Sequence, residues 1–161
     1  MSNNCWAGVT YNYLCMRFQS PFINMYIEND DYLRLLHDLR GYIKEPLIYC
    51  NTEVNPVEKF DYPVFYLGDI KLHMNHCHSI EEGETAWYKR VERINWDNLL
   101  VMMYTHSDQC IKEFNQLPFK KKVCFVGEEG YTSPSIIPVK PYIERKNKNT
   151  KLWEYVLSMA A

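Results

Sequence analysis

The 161-residue sequence has little of what unstructured and fibrous chains depend on, with only 6 glycines and 8 prolines. Together with 47% hydrophobic and 24% charged residues, that scarcity excludes a disordered, collagenous or coiled-coil protein. No uninterrupted apolar run approaches the ~20 residues a membrane-spanning helix requires. Neither sign of charge is in excess. The net charge of −2 argues against binding nucleic acid through bulk electrostatics. Cysteine pairs of the C-x-x-C kind are missing, although six cysteines are present: Cys5, Cys15, Cys50, Cys77, Cys110 and Cys124. Without paired motifs or an export signal, these are expected to be free thiols of a cytoplasmic protein rather than a disulfide framework. Internal repeats and an interdomain linker are absent too, as is the D-x-D metal motif common in nucleotide-sugar transferases.

What is there is a chain long enough for one real core, since a domain of this size buries roughly 70% of the surface its unfolded chain exposes. Thirteen tyrosines and four tryptophans exceed what that core can absorb, so some are expected to line surface grooves. The hydrophobic period switches repeatedly between helix and strand. Trp6, Val9, Tyr13 and Met16 recur at helical spacing behind Asn3 and Asn4, either of which can cap the helix, and Ser20-Pro21 ends it. Phe22 to Ile27 reads as extended. A second helix begins at Asn29 or Asp30, carries the stripe Tyr32, Leu35, Leu36 and Leu39, and stops at Gly41.

Leu47 to Tyr49 reads as a short strand, Asn51 to Asp61 as a mobile loop and Tyr62 to Leu67 as a strand. Beyond Gly68, alternation puts Ile70, Leu72 and Met74 on one face and Asp69, Lys71, His73 and Asn75 on the other. Ser79-Ile80-Glu81-Glu82 has capping-box spacing and opens a helix whose buried line is Gly83, Trp87, Val91 and Ile94. Leu99 to Tyr104 and Val123 to Val126 read as interior strands covered on both faces, separated by a short helix that ends at Leu117-Pro118. Ile136 to Val139 reads as an edge strand, and Thr150 as the cap of a final helix through Trp153 and Leu157. The expected architecture is a single α/β domain over residues 1–161, three-layered, with a mixed and mostly parallel sheet.

Four groups of residues could carry chemistry. Ser2 to Gly8 places Asn3, Asn4 and Cys5 at a helix N-terminus, where free N–H groups favour an anion and can activate a thiol; a capped helix with an inert cysteine explains the same residues. His73, His76 and His78 invite zinc, but strand alternation opposes His73 to the other two and the fourth ligand's spacing is missing, so no metal site and no cofactor is expected. Arg90 and Arg93, spaced i, i+3, can converge on a phosphate or diphosphate, with Asn95, Asp97 and Asn98 at the helix exit; an Arg93–Asp97 pair closing the helix is the plainer alternative. Asp69 and His73 line one strip of strand, an arrangement suited to proton transfer or merely to a solvated sheet edge.

Taken in order, Ser2-Asn3-Asn4-Cys5-Trp6-x-Gly8, Ser20-Pro21-Phe22, Asp31-Tyr32, Tyr62-Pro63-Val64, Asp69-Ile70-x-x-His73-x-x-His76, Trp87-x-x-Arg90-x-x-Arg93-Ile94-Asn95-Trp96-Asp97-Asn98 and Leu117-Pro118-Phe119-Lys120-x-Lys122-Val123 cover nearly the whole chain. This series resembles the bacterial family known as domain of unknown function nineteen-nineteen, whose members often carry the description exopolysaccharide biosynthesis protein. The resemblance implies an α/β fold and a context of capsule or exopolysaccharide synthesis, and supplies no catalytic residues. Family members carry an apolar strand before the Ser-Asn-Asn-Cys-Trp motif. Only Met1 precedes it here, so either that strand is missing or the native start lies upstream. Ala7 and Cys77 stand where the family has glycine and an aromatic residue.

These readings converge on a transferase acting on a nucleotide-sugar or lipid-linked sugar. Arg90 and Arg93 would neutralise a diphosphate. Asp69 or His76 would be the catalytic base, and the loop Asn3, Asn4, Cys5 and Trp6, with Asn95 and Asp97, would hold substrate. The competing class is a non-catalytic sugar-binding or scaffold subunit, with peripheral contact to membrane assembly enzymes left open. A third reading is acyl transfer or hydrolysis through Cys5. An enzyme is expected to gather the Asn3–Trp6 loop, Asp69 or His76, and one of the two arginines around a common cleft.

Overall fold

The computed structural model describes residues 1–126 and 133–138. The chain divides into two compact units, Met1–Trp96 and Asp97–Ala161. The first contains α1 (Trp6–Tyr13), α2 (Asn29–His37), α3 (Leu39–Tyr42), β1 (Leu47–Val54), β2 (Asp61–Leu67), β3 (Ile70–His73) and α4 (Ile80–Val91). The second contains β4 (Leu100–Thr105), α5 (Asp108–Gln116), β5 (Lys121–Val126) and β6 (Ile136–Pro138). The expected final helix beyond Thr150 lies outside the described residues.

The expectation of one mixed, mostly parallel sheet in a three-layer domain is corrected. Among the described residues there are two sheets of three strands each, ordered β1-β2-β3 and β4-β5-β6. The first is wholly antiparallel, and only the second is parallel. The physical reason lies in the connections. β2 and β3 are joined by Gly68-Asp69 alone, with Gly68 at φ +61°, and so short a link can only reverse the chain. A parallel pair needs a crossover, which α5 supplies between β4 and β5.

The first sheet is longer than its sequence suggested. Residues 51 to 54, expected in a loop, continue β1 and pair with residues 61 to 64 of β2, with a register shift between Tyr49 and Asn51. Their polarity follows from position: β1 is an edge strand, so Thr52 and Glu53 need not face a core. Asn55 then turns the chain, its Oδ1 accepting from the N–H groups of Val57 and Glu58, both at 3.0 Å. Tyr26 adds one antiparallel bridge to His73, so the segment expected to be extended borders β3.

The core of this unit joins the sheet to its helices. Tyr32, Leu33, Leu35 and Leu36 of α2 are buried, and α2 packs on β3. The stripe ends early because Asp38 leaves helical geometry at φ −138° and caps α3 by accepting from Gly41 N–H at 3.0 Å, which places Gly41 inside a helix rather than at a stop. In α1 the expected face is reversed. Val9, Tyr13 and Met16 are exposed, while Ala7, Gly8 and Thr10 are buried. Small residues face inward there because Ile23 and Asn24 crowd the helix; a Cβ on Gly8 would lie 3.3 Å from Ile23.

The capping box of α4 forms. Ser79 Oγ accepts from Glu82 N–H at 3.1 Å, while the Glu82 carboxylate accepts from the N–H of His78 at 2.8 Å. Gly83 lets this helix approach the sheet, because a Cβ there would stand 2.7 Å from Met74 Sδ and 3.0 Å from Phe65 Cε2. Gly83→Ala is therefore expected to lower stability by about 1 kcal/mol, the ~1–3 kcal/mol cost of overpacking being offset in part by the better helix propensity of alanine. A urea midpoint that rises on this substitution would contradict that packing.

In the second unit α5 begins at Ser107, whose Oγ accepts from Cys110 N–H at 3.4 Å, and buries Cys110, Ile111 and Phe114. β5 lies between its neighbours and is interior as expected, whereas β4 is terminal in its sheet among the described residues, although Val101, Met102 and Met103 are buried. All six cysteines are free thiols.

Candidate functional site

Three groups of polar residues concentrate the chemistry of the first unit. In the first, α4 presents Lys89 and Arg90, and the turn that follows it presents Arg93, to an open groove of about 520 Å³, shared with Phe18, Glu81 and Glu82. Residues 90 and 93 are one helical turn apart, so both guanidiniums reach the same face, as their spacing predicted. Each spends one N–H on the segment opposite: Arg90 donates to the carbonyl of Ile23 at 3.0 Å and Arg93 to that of Phe18 at 3.5 Å. The Arg90 guanidinium also lies 5.6 Å from the centre of the Phe18 ring. Among the described residues no carboxylate lies within 4.0 Å of either arginine. Burial lowers the Arg90 pKa, and Arg93 nearby adds to that effect, while Cys77 and Glu82 oppose it. The guanidinium remains charged near neutral pH. Two anchored cations with no carboxylate in ion-pair contact, in a groove whose rim also carries Glu81 and Glu82, suit an anionic ligand.

The second group surrounds the Asn3–Trp6 loop. Asn3 is buried; its side chain donates to Asn29 Oδ1 at 3.0 Å and its carbonyl accepts from Ile27 N–H at 2.9 Å. Asn4 Oδ1 accepts from Trp6 N–H at 3.0 Å and from Ser2 Oγ at 3.0 Å, which starts α1. These two asparagines therefore build the loop, and Trp6 is half-buried within it. Cys5 is half-buried, its thiol 3.9 Å from the Met25 carbonyl. Burial raises the thiol pKa, with Glu58 contributing in the same direction. His76 Nδ1 lies 3.6 Å from Glu58 Oε2. The first two groups meet along one segment: Ile23 faces Arg90 and Met25 faces Cys5, with Asn24 between them at φ +60°.

The third group was not foreseen. On the sheet, Tyr62 donates to Glu53 at 2.7 Å, His73 Nδ1 lies 3.2 Å from the same carboxylate oxygen, and Tyr26 stacks on His73 at 4.2 Å. Tyr62 keeps its proton well above the usual phenol range, through desolvation and then the Glu53 bond, while the Tyr62 bond holds the Glu53 carboxyl below its ordinary value. Because the folded value of Glu53 is depressed, its contribution to stability is present above the ordinary carboxylate range and is lost as pH falls through the folded value. Tyr62→Phe is accordingly expected to cost about 1 kcal/mol at pH 7, with solvent screening at the part-exposed Glu53 keeping the figure that low, and less near pH 3. Equal losses in denaturation midpoint at both pH values would contradict this.

The expected common cleft takes a different form. The arginine groove is lined by none of Asn3, Asn4, Cys5, Trp6, Asp69 or His76. Asp69 sits on the exposed β2–β3 turn, accepting from Tyr42 at 2.5 Å and paired with Arg34 at 3.2 Å. The Tyr42 bond, then Arg34, hold its carboxyl below the usual range, and Tyr42 is pushed up to about 12. A carboxylate so stabilised is a weak base. Asn95 is exposed after α4, and Asp97, also exposed, opens the second unit.

The three histidines of the candidate metal motif take three different partners: His73 takes Glu53, His76 takes Glu58, and His78 lies 4.2 Å from the Phe60 ring. Among the described residues no group of three or more His, Cys, Asp or Glu side chains is placed to hold a metal ion, and no helix is long and apolar enough to cross a membrane.

A family model described as "Domain of unknown function (DUF1919)" matches residues 1–160 of this chain. A Haemophilus influenzae protein described as "Uncharacterized protein" is 33% identical over 158 residues, spanning 96% of this chain and 73% of its own length.

Proposed function

Given that the chain belongs to the DUF1919 family, we propose that it is a cytoplasmic transferase of bacterial exopolysaccharide or capsule synthesis, acting on an activated sugar or a sugar-bearing lipid. The observation that carries the reading is the groove in which Lys89, Arg90 and Arg93 face Phe18 with no carboxylate on either arginine. A diphosphate donor gathers negative charge on its leaving group as the sugar departs. Donors already fixed in place stabilise that charge without having to reorganise. Here the bonds from Arg90 to Ile23 and from Arg93 to Phe18 do the fixing, and each guanidinium keeps further N–H groups for phosphate oxygens. Phe18 offers an apolar face for a sugar ring, and Glu81 and Glu82 offer acceptors for its hydroxyls.

Asp69 is not the base in this reading, because Tyr42 and Arg34 hold it as an exposed carboxylate on a turn. His76 does not line the groove either, so neither expected base stands beside the two arginines. That favours, as second reading, a non-catalytic sugar-binding subunit that uses the same groove. Polymer output separates the two. In a bacterium carrying Arg93→Ala in a chain that still folds, the transferase reading predicts that polymer is lost. Undiminished polymer would leave the scaffold reading.

A further inference from the structure

We infer that the outward face of α1 docks on an anionic membrane surface, with the arginine groove opening beside the bilayer. A surface helix ordinarily turns its large apolar residues toward the core. In α1 and the turn after it, Val9, Tyr13 and Met16 are instead 50%, 60% and 47% exposed, while Ala7, Gly8 and Thr10 fill the inner face. Val9 and Tyr13 are four residues apart, so they stand one above the other on the outward side. Met16 lies in the turn that closes the helix, its N–H bonded to the Tyr11 carbonyl at 2.9 Å. Scattered apolar residues on a surface need no explanation, but several gathered within eight residues mark a surface that something else covers.

The charge pattern selects an anionic lipid surface as that cover. Residues 1 to 27 contain no Asp or Glu, although the chain has 20 of them; Glu28 is the first. The segment that carries α1 therefore brings no carboxylate of its own to repel lipid phosphates. Cations gather where it ends. Arg17 is exposed, and no carboxylate stands in ion-pair contact with it among the described residues. Phe18, next in the chain, forms the groove wall with Lys89, Arg90 and Arg93. The Tyr11 ring meets the Phe18 ring edge-on at 5.9 Å and Arg93 holds the Phe18 carbonyl, so helix and groove wall are tied together. Glu81 and Glu82 oppose these charges from the rim, two carboxylates against four cations.

Each part has its place at such a surface. Val9 and Met16 enter the boundary of the acyl chains, the Tyr13 ring lies at headgroup depth with its hydroxyl in water, and Arg17 meets lipid phosphates. The docking itself does not depend on the sugar-transfer reading. Its consequence for substrate does rest on that reading: the groove then opens at headgroup level, and the second substrate is carried by a lipid.

Flotation of the full chain with lipid vesicles tests this. Vesicles of phosphatidylglycerol and phosphatidylcholine in equal parts should carry the chain upward, and phosphatidylcholine alone should carry far less. Added salt should weaken the binding by screening the cations. Val9→Ser and Tyr13→Ser together should lower affinity for the anionic vesicles at least about tenfold, because two apolar side chains no longer enter the lipid. Arg17→Gln should lower it about fivefold and leave any binding to phosphatidylcholine unchanged. All three positions are exposed, so melting midpoints without vesicles should stay where they are; if the double variant fails to fold, Arg17→Gln decides alone. No flotation with anionic vesicles, equal flotation with both kinds, or undiminished binding in these variants would overturn the proposal. Self-association that the double substitution abolishes, without flotation, would put a second copy on α1 and overturn it as well. A chain that floats but binds no diphosphate sugar would count against the groove and leave the docking standing, and sugar binding without flotation would do the reverse.

Discussion

Arg93→Ala is expected to weaken binding of a diphosphate-bearing sugar by about ten- to a hundredfold. Hydrogen bonds to charged groups are worth ~1.5–3 kcal/mol, and each 1.4 kcal/mol is tenfold in affinity. Arg93 is the cleaner of the two arginines to test. Arg93 makes one 3.5 Å bond to the Phe18 carbonyl, whereas Arg90 lies over the Phe18 ring and holds the Ile23 carbonyl at 3.0 Å, so removing Arg90 disturbs the groove wall more. Arg93→Lys keeps the charge but loses the planar fork, and a loss of affinity between those of the unmodified and alanine chains is expected. Raising the salt concentration should weaken binding less for the alanine variant, because one screened cation is gone. Titration calorimetry checks all three. A lysine variant that binds as tightly as the unmodified chain would show that the site reads charge alone.

The largest effect on stability is expected from Trp87→Ala, at about 3–5 kcal/mol. Trp87 is 1% exposed on the inner face of α4 and meets the ring of Phe22 edge-on at 5.4 Å. Phe22 begins the buried segment that carries the carbonyl of Ile23, so the cavity would open beneath the anchor of Arg90. The indole N–H is buried and has no acceptor among the described residues, so no hydrogen bond is lost with it. Trp87→Phe should therefore cost less than half as much as Trp87→Ala, since it keeps most of the apolar volume and removes an unpaired donor. Denaturation midpoints of the two variants give the comparison. A phenylalanine variant as unstable as the alanine one would mean that the indole nitrogen has a partner.

What the sequence made legible was local. Ser79 and Glu82 close their cap across three residues, and Arg90 and Arg93 share a face because a helix turn brings them together. Both follow from spacing within one element. The apolar run Leu99 to Tyr104 does contain a strand of a parallel pair, but the first three strands turn back on short links, which that run does not reveal. β1 was half hidden because an edge strand can carry Asn51, Thr52 and Glu53 without burying them. In α1 the large apolar residues face outward while Ala7, Gly8 and Thr10 face inward, where Ile23 stands 3.3 Å from any Cβ at position 8.

The site divided in the same way. Cys5 and His76 stand out as chemical types, but Glu58, which faces His76, lies in what reads as a polar loop. The Tyr26–His73–Glu53–Tyr62 network depends on the register that pairs Glu53 with Tyr62 and on the bridge between Tyr26 and His73. Register is a property of two strands together, and no single segment displays it.

Sugar transfer depends on the groove between α4 and Phe18 taking the phosphate of an activated sugar. The most direct test is a thermal-shift measurement of the unmodified full chain against a panel of nucleoside-diphosphate sugars, with the free sugars as controls. At a hundredfold its Kd, a bound ligand adds about 2.7 kcal/mol of stability, which displaces the melting midpoint by several degrees. The predicted result is a concentration-dependent rise with at least one diphosphate sugar and none with the sugars alone. No rise with any phosphate-bearing sugar, or an equal rise in Arg93→Ala, would contradict it.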